Sequence, residues 1–282
     1  MGVRVWVNGR LRGPGEASLS ALDHGITVGD GAFETAKIVD GLPFALSRHE
    51  RRLDRSLAGL GLPAANHDVL RDGIQAVLAA GERIRFGRLR YTVTAGAGPA
   101  GSDRVAPEET QLTYIVTASD QPQPPESCAV VTVPWTRNER AATAGLKTTS
   151  YADNVIALHY ARQRGATEAV FGNTRGELCE GTGSNVFVVV DSVLISPPPH
   201  SGLLEGITRE LTMAWCREDG MPVEERALPL QVLRTADEVF ITSSTRDVLA
   251  VSLVDDRVLT PGPVTARAAK IFAERSAENS DP

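Results

Sequence analysis

Lysine occurs only at Lys37, Lys147 and Lys270 in a chain whose Lys and Arg together number 29. A sequence that writes nearly all its positive charge as arginine keeps lysine where an amine is needed. Lysine can shed its proton or bond a carbonyl as an imine, and arginine can do neither. Lys147 stands in Ala144-Gly145-Leu146-Lys147-Thr148-Thr149-Ser150, a stretch with no other charge. Further on, Glu180 opens Glu180-Gly181-Thr182-Gly183-Ser184-Asn185-Val186-Phe187, a carboxylate beside a glycine-rich turn that leads into an apolar strand.

An imine-forming amine and an acid able to keep a pyridine nitrogen protonated are the two ends of a pyridoxal phosphate site. In that reading Lys147 bonds the cofactor and shuttles a proton, which needs an amine whose charge is disfavoured by burial or a nearby cation. Three segments offer phosphate anchors. Leu204-Glu205-Gly206-Ile207-Thr208 starts a helix, where backbone N–H groups and the macrodipole favour an anion. Thr242-Ser243-Ser244-Thr245 offers hydroxyls after a strand, and Arg52 lies beside the apolar stripe of its helix. Each signal also has a plain reading: a lysine at a strand end, a solvated glutamate, an ordinary helix start, a Ser/Thr loop and a solvated arginine.

The 282 residues, 42% hydrophobic with a formal charge of −6, suit a globular protein of one or two domains and argue against a nucleic-acid groove or an anionic membrane surface. No apolar run approaches the ~20 residues a membrane span needs. Cys128, Cys179 and Cys216 are odd in number and widely spaced, as expected of reduced thiols in the cytoplasm. The histidines show no metal-ligand spacing, so no metal is expected.

Strand alternation at residues 3–7 and the Asn8-Gly9 turn predict a hairpin. Ala32–Val39 reads as a strand turned at Asp40-Gly41. Ser47, with Glu50 three residues on, predicts a capped helix that carries Leu53, Leu57 and Leu60 and ends at Gly61. A second helix carries Leu70, Ile74, Val77 and Leu78, and strands follow at Ile84–Ala95 and Gln111–Ala118. The proline-rich stretch after residue 118 predicts a linker, dividing the chain into a small α/β domain (1–118), a linker (119–128) and a larger domain (129–282). The second half holds a helix at Ala152–Gln163 with Val155, Ile156, Ala157 and Tyr160 as its apolar positions, another after Gly206, and a last one opened by Pro263. Strands and helices mixed in two halves give α+β as the fold class.

The motifs Gly29-Asp-Gly-Ala-Phe33-Glu-Thr35, His49-x-x-Arg52-Leu53, Lys147-Thr-Thr-Ser-x-Ala-Asp-Asn-Val155, Glu180-Gly-x-Gly-Ser-Asn-Val-Phe187, Gly206-Ile-Thr-Arg209 and Thr242-Ser-Ser-Thr245 resemble those of the fold-type IV, or class IV, pyridoxal phosphate enzymes. That family holds branched-chain and D-amino-acid aminotransferases, R-selective amine transaminases and 4-amino-4-deoxychorismate lyases. The resemblance covers nearly the whole chain. It implies a two-domain fold with a barrel-like C-terminal domain, and a homodimer whose active site is closed at the subunit interface. It implies Lys147 as the imine lysine, Glu180 as the partner of the ring nitrogen, and Leu204 packed on the ring. Arg52, Ile207, Thr208 and Ser244 would hold the phosphate with Ser243 nearby, and Phe33 and Arg90 would meet the substrate.

Within that family the loop Ala95-Gly-Ala-Gly-Pro-Ala-Gly-Ser102 lacks the Arg-x-His carboxylate trap of well-known D-amino-acid aminotransferases. The nearest arginine is Arg104. Arg88 and Arg90 share a strand face by alternation, and Arg90 falls where branched-chain aminotransferases also place an arginine. Arg137, Arg140 and Arg246 are further candidates for a substrate carboxylate. The expected activity is transamination between a small amino acid or amine and a 2-oxo acid, of D-amino-acid or branched-chain type. The alternative is a lyase that releases pyruvate and 4-aminobenzoate.

Overall fold

The computed structural model describes residues 2–282. Contacts divide them into two units. The first comprises residues up to 123 together with 146–150 and 280–282, and the second comprises 124–145 and 151–279. The Lys147 segment therefore belongs with the first unit, although it follows the proline-rich stretch in sequence.

In the first unit β1 (Arg4–Val7) and β2 (Arg10–Arg12) form a hairpin, with Asn8 and Gly9 both at positive φ as a tight primed turn requires. A short helix α1 (His24–Thr27) leads to β3 (Gly31–Val39), which turns at Asp40-Gly41 into β4 (Leu42–Pro43). Helices α2 (Leu46–Gly59) and α3 (His67–Ala79) precede β5 (Phe86–Thr94) and β6 (Thr113–Asp120). The six strands form an antiparallel sheet in the order β2-β1-β6-β5-β3-β4. Helix α2 packs on β3 and α3 on β6 and β1. Alternation sends Ala32, Ala36 and Ile38 of β3 into a core with Leu53 and Leu57 of α2. Each fully buried leucine there contributes about 1.5–3 kcal/mol.

The start of α2 departs from expectation. Ser47 is not its cap. The N-cap is Ala45, in the left-handed region with no side-chain bond of its own, and the Ser47 N–H and hydroxyl both donate to Asp281 Oδ1 at 3.0 Å. The other end closes as the sequence predicts: Gly61, at positive φ, lets Leu62 N–H reach back to the Leu57 carbonyl at 2.9 Å.

The second unit runs through β7 (Ser127–Arg137), α4 (Ala152–Arg162), β8 (Glu168–Asn173), β9 (Leu178–Gly181), β10 (Asn185–Val190), β11 (Val193–Ser196), α5 (Ile207–Glu218) and β12 (Val223–Glu225). It ends with β13 (Glu238–Ser243), β14 (Asp247–Val254), β15 (Arg257–Val258) and α6 (Pro263–Glu278). Its sheet runs β12-β11-β10-β13-β14-β7-β8-β9, and β9 pairs back with β10 through Glu180 and Asn185, closing a six-stranded barrel-like ring. Val130, Val170, Leu178, Val186, Ile241 and Val251 from those six strands share one core. Alternate residues Val131, Val133, Ala169 and Phe171 pack outside it with Ala157 and Ala161 of α4. Val155 and Ile156, expected on the packed face of α4, are 64% and 52% exposed, because the short side chains of Ala157 and Ala161 are what face the strands. The chain is thus an α+β protein, as expected.

Candidate active site

The first unit fixes Lys147 through its backbone. Residues 147–149 run antiparallel along the open start of β3. Phe33 N–H donates to the Lys147 carbonyl at 3.0 Å, Thr149 N–H donates to the Gly31 carbonyl at 2.8 Å, and Ala32 bridges Thr148. Lys147 N–H donates to the buried Ser56 Oγ of α2 at 3.1 Å. The half-buried side chain reaches Phe33, with Nζ 4.3 Å from the ring centroid, and the Arg90 guanidinium lies 3.7 Å from the same ring. One aromatic ring therefore seats both cations. Arg90 pairs across from Thr35, which puts it on the Phe33 face of the sheet. Arg88 and Arg90 are both exposed.

The opposite face of β3 carries Glu34, buried under α2. Its carboxylate takes Arg52 bidentately, Nε to Oε1 at 2.8 Å and Nη2 to Oε2 at 2.7 Å, and His49 Nδ1 lies 2.6 Å from Oε2. Burial opposes ionisation of Glu34, but Arg52 and then His49 outweigh it and hold the carboxyl far below the usual range. Burial also drives His49 below its ordinary value against the pull of Glu34, so its ring is neutral at pH 7. Arg52 is buried, not on a solvated helix face, with two of its nitrogens bonded to Glu34.

In the second unit Glu180 occupies the closing strand β9. Its Oε2 accepts from Leu204 N–H at 2.9 Å, and its Oε1 lies 3.1 Å from Arg137 Nε. The Arg137 Nε–H is not aimed at that oxygen, so the contact is an ion pair rather than an aligned hydrogen bond. Arg137 also covers the Phe171 ring at 4.3 Å and donates to Asn154 Oδ1 at 3.1 Å. Asn185 Nδ2 donates to the Leu204 carbonyl at 2.8 Å, so the Leu204 backbone is held at both ends. Gly206 is the N-cap of α5, with no side-chain cap, and a Cβ on it would lie 2.0 Å from Asn185 Oδ1. Buried Ile207 and Thr208 open the helix. Half-buried Ser243 and Ser244 end β13 and start the following loop, while the buried Thr242 Oγ1 has no hydrogen-bond partner.

Three of the candidate arginines are committed elsewhere. Arg246 bonds Glu168 and Ser243, Arg104 grips Asp30 with two bonds of 2.6 Å, and Arg137 serves Glu180. Arg140 is exposed. The sequence reading missed Glu34, Ser56, Asn154 and Glu168. Glu34 alone carried a readable signal, a carboxylate in phase with Ala32 and Ala36 on a strand followed by His49-x-x-Arg52.

Residues 31–254 match the family described as Amino-transferase class IV. The chain belongs to the class IV aminotransferases. It is 31% identical to a putative branched-chain-amino-acid aminotransferase of Methanocaldococcus jannaschii, over 91% of this chain and 90% of that protein. It is also 31% identical to a D-alanine aminotransferase of Bacillus licheniformis, over 93% of each chain. Among solved structures, the branched-chain aminotransferase of Thermoproteus uzoniensis with norvaline aligns over 97% of this chain and 94% of that one, at 28% identity and a TM-score of 0.87.

Class IV aminotransferases depend on pyridoxal 5′-phosphate, and the residues here fit it. The second unit offers an uncapped helix start, a glycine with no room for a Cβ, two serine hydroxyls and the unpartnered Thr242 hydroxyl, a donor set suited to a phosphate. The first unit supplies an amine on a backbone fixed by three hydrogen bonds.

Proposed function

We propose that this class IV enzyme is a transaminase that moves an amino group between a small amino acid or amine and a 2-oxo acid. The observation that carries the reading is Lys147, an amine whose backbone is bonded to both β3 and α2 and whose Nζ sits at the Phe33 ring. When bound, pyridoxal phosphate supplies an aldehyde for amines and an electron-poor ring that disperses the electron pair left as Cα loses its proton. Lys147 would hold the cofactor through Nζ, and the same amine would accept the proton from the substrate Cα, becoming an ammonium that gives it back as a general acid. Glu180 keeps the ring nitrogen protonated, with Arg137 and the Leu204 N–H holding its carboxylate in place. The N–H groups of Ile207 and Thr208, the hydroxyls of Ser243 and Ser244, and Arg52 hold the phosphate, and Leu204 packs on the ring. Phe33 and Arg90 line the substrate side, where the Arg90 fork takes a carboxylate.

The working form is a homodimer with residues of both copies at the active site. The exposed apolar side chains of Trp135, Val155 and Ile156 support a covering partner. Three buried, unpaired cysteines support a reducing compartment, and we assign the enzyme to the cytoplasm. Among the described residues no helix is long and apolar enough to cross a membrane.

The test is a single turnover of the cofactor-loaded protein with D-alanine, L-leucine or an R-amine, each followed by pyruvate or 2-oxoglutarate. At least one donor should pass its amino group to the acceptor. If none does, while 4-amino-4-deoxychorismate releases pyruvate, the enzyme is a lyase and the transaminase reading fails.

A further inference from the structure

Glu168 is charged, 2% exposed and outside every role given so far. Its Oε1 accepts from the Ala169 and Thr182 N–H groups at 3.1 and 3.0 Å and from the Thr182 hydroxyl. Its Oε2 accepts from the Ser184 hydroxyl at 3.0 Å and from Arg246 Nη2 at 2.6 Å. Arg246 then folds back along its own loop, with Nε donating to Ser243 Oγ at 2.9 Å and Nη2 lying 3.3 Å from the Gly183 carbonyl. One carboxylate thus ties the loop after Glu180 to the loop after β13. The chain of bonds continues from Thr182, whose carbonyl accepts from Asn154 Nδ2 at 2.6 Å, to Asn154 Oδ1, Arg137 and Glu180.

A serine hydroxyl carries one proton and two lone pairs. Because Arg246 donates to Ser243 Oγ, the serine proton is left for an acceptor elsewhere, and Ser243 presents itself as a donor. Glu168 is the closer of the two acceptors on the other nitrogen, at 2.6 Å against 3.3 Å for the Gly183 carbonyl, and the one that carries charge. Burial works against a charged Glu168, but Arg246 and Thr182 prevail and keep it ionised.

We propose that Glu168 is a positioning residue for the cofactor phosphate, fixing Ser243 as a donor through Arg246. This rests on the reading of Ser243 as a phosphate-side residue. Arg246, with Nη2 tied to Glu168 and Nε to Ser243, orients the serine and is not itself a phosphate ligand, which leaves the anion to Arg52, the hydroxyls and the helix N–H groups.

The test titrates apoprotein with pyridoxal phosphate and, separately, with pyridoxal, which lacks the phosphate. Glu168→Gln and Arg246→Met should each weaken pyridoxal phosphate binding roughly tenfold, the loss expected of one hydrogen bond to an anion, and leave pyridoxal binding unchanged. Equal losses for both ligands would mean general loosening and would overturn the inference, as would unchanged affinity for both. Tighter pyridoxal phosphate binding in Glu168→Gln would show a released Arg246 gripping the phosphate itself, again overturning it. Arg246, partly exposed, carries the test if Glu168→Gln does not fold. Ser243→Ala separates the two layers. If it loses phosphate preference and Glu168→Gln does not, the positioning role alone fails; if it loses none, the reading of Ser243 fails and takes the inference with it.

Discussion

Arg137 Nε stands 3.1 Å from Glu180 Oε1 while the same guanidinium covers the Phe171 ring at 4.3 Å. The arginine is held by the ring below and by Asn154, so it offers Glu180 a fixed positive neighbour. Arg137→Met keeps much of the contact with Phe171 and removes the charge. Turnover should fall roughly tenfold to a hundredfold, the usual effect of losing a partner that orients a functional group, with little change in melting temperature. Steady-state kinetics beside a thermal melt check this, and unchanged turnover would remove Arg137 from the account.

The Glu34 cluster predicts both a mutational and a pH effect. Glu34→Gln takes away the charge that faces Arg52 and His49, and should destabilise the protein by about 3–5 kcal/mol, as broken buried ion pairs do. His49 titrates below its ordinary 6.5 in the folded protein, so from about pH 6.5 downward the unfolded chain binds a proton that the native one does not. Stability is full above that value and should fall on acidification, by at most about 1.4 kcal/mol per pH unit from this group. The depressed Glu34 adds a second loss only below the ordinary carboxylate value of 4.5. Urea midpoints taken between about pH 8 and 5 should therefore decline in the wild type and flatten in His49→Asn. An equal slope in both would contradict the assignment of a neutral buried ring.

Tyr91 gives a prediction of opposite sign. Its side chain is fully buried in the first unit's core, and its hydroxyl has no hydrogen-bond partner. Removing an unsatisfied buried hydroxyl relieves its desolvation cost, so Tyr91→Phe should be neutral or stabilising by about 1 kcal/mol. Loss of stability on urea unfolding would show that the phenol is satisfied in solution.

Asp281 caps α2, the helix that carries His49, Arg52 and Ser56, from the far end of the sequence. Asp281→Ala should cost about 1 kcal/mol in a urea unfolding experiment, the usual worth of an N-cap. A matching loss in Ser47→Ala but none in Asp281→Ala would mean that Ser47 caps the helix itself.

Features fixed by local chemistry were legible in the sequence. Asn8-Gly9 and Asp40-Gly41 announce their turns because few other residues accept positive φ. Gly61 announces the end of α2 for the same reason. Features settled by distant residues were not legible: Ser47 looked like a cap because nothing nearby reveals Asp281, 234 residues away. Val155 and Ile156 looked like core because composition does not show which stripe of α4 the strands select. Arg246 and Arg104 looked free to take a substrate, since only the fold reveals Glu168 and Asp30 beside them. The Lys147 segment stood out by residue type, but its place along β3 did not, because a two-sided lattice of backbone bonds leaves no mark in side-chain type.

The central claim is one covalent attachment, and it can be read directly. The protein loaded with pyridoxal phosphate is reduced with borohydride, digested, and its peptides weighed. The account predicts the reduced cofactor on Lys147 alone and its loss in Lys147→Ala; attachment at Lys37 or Lys270 instead, or no attachment at all, would contradict it.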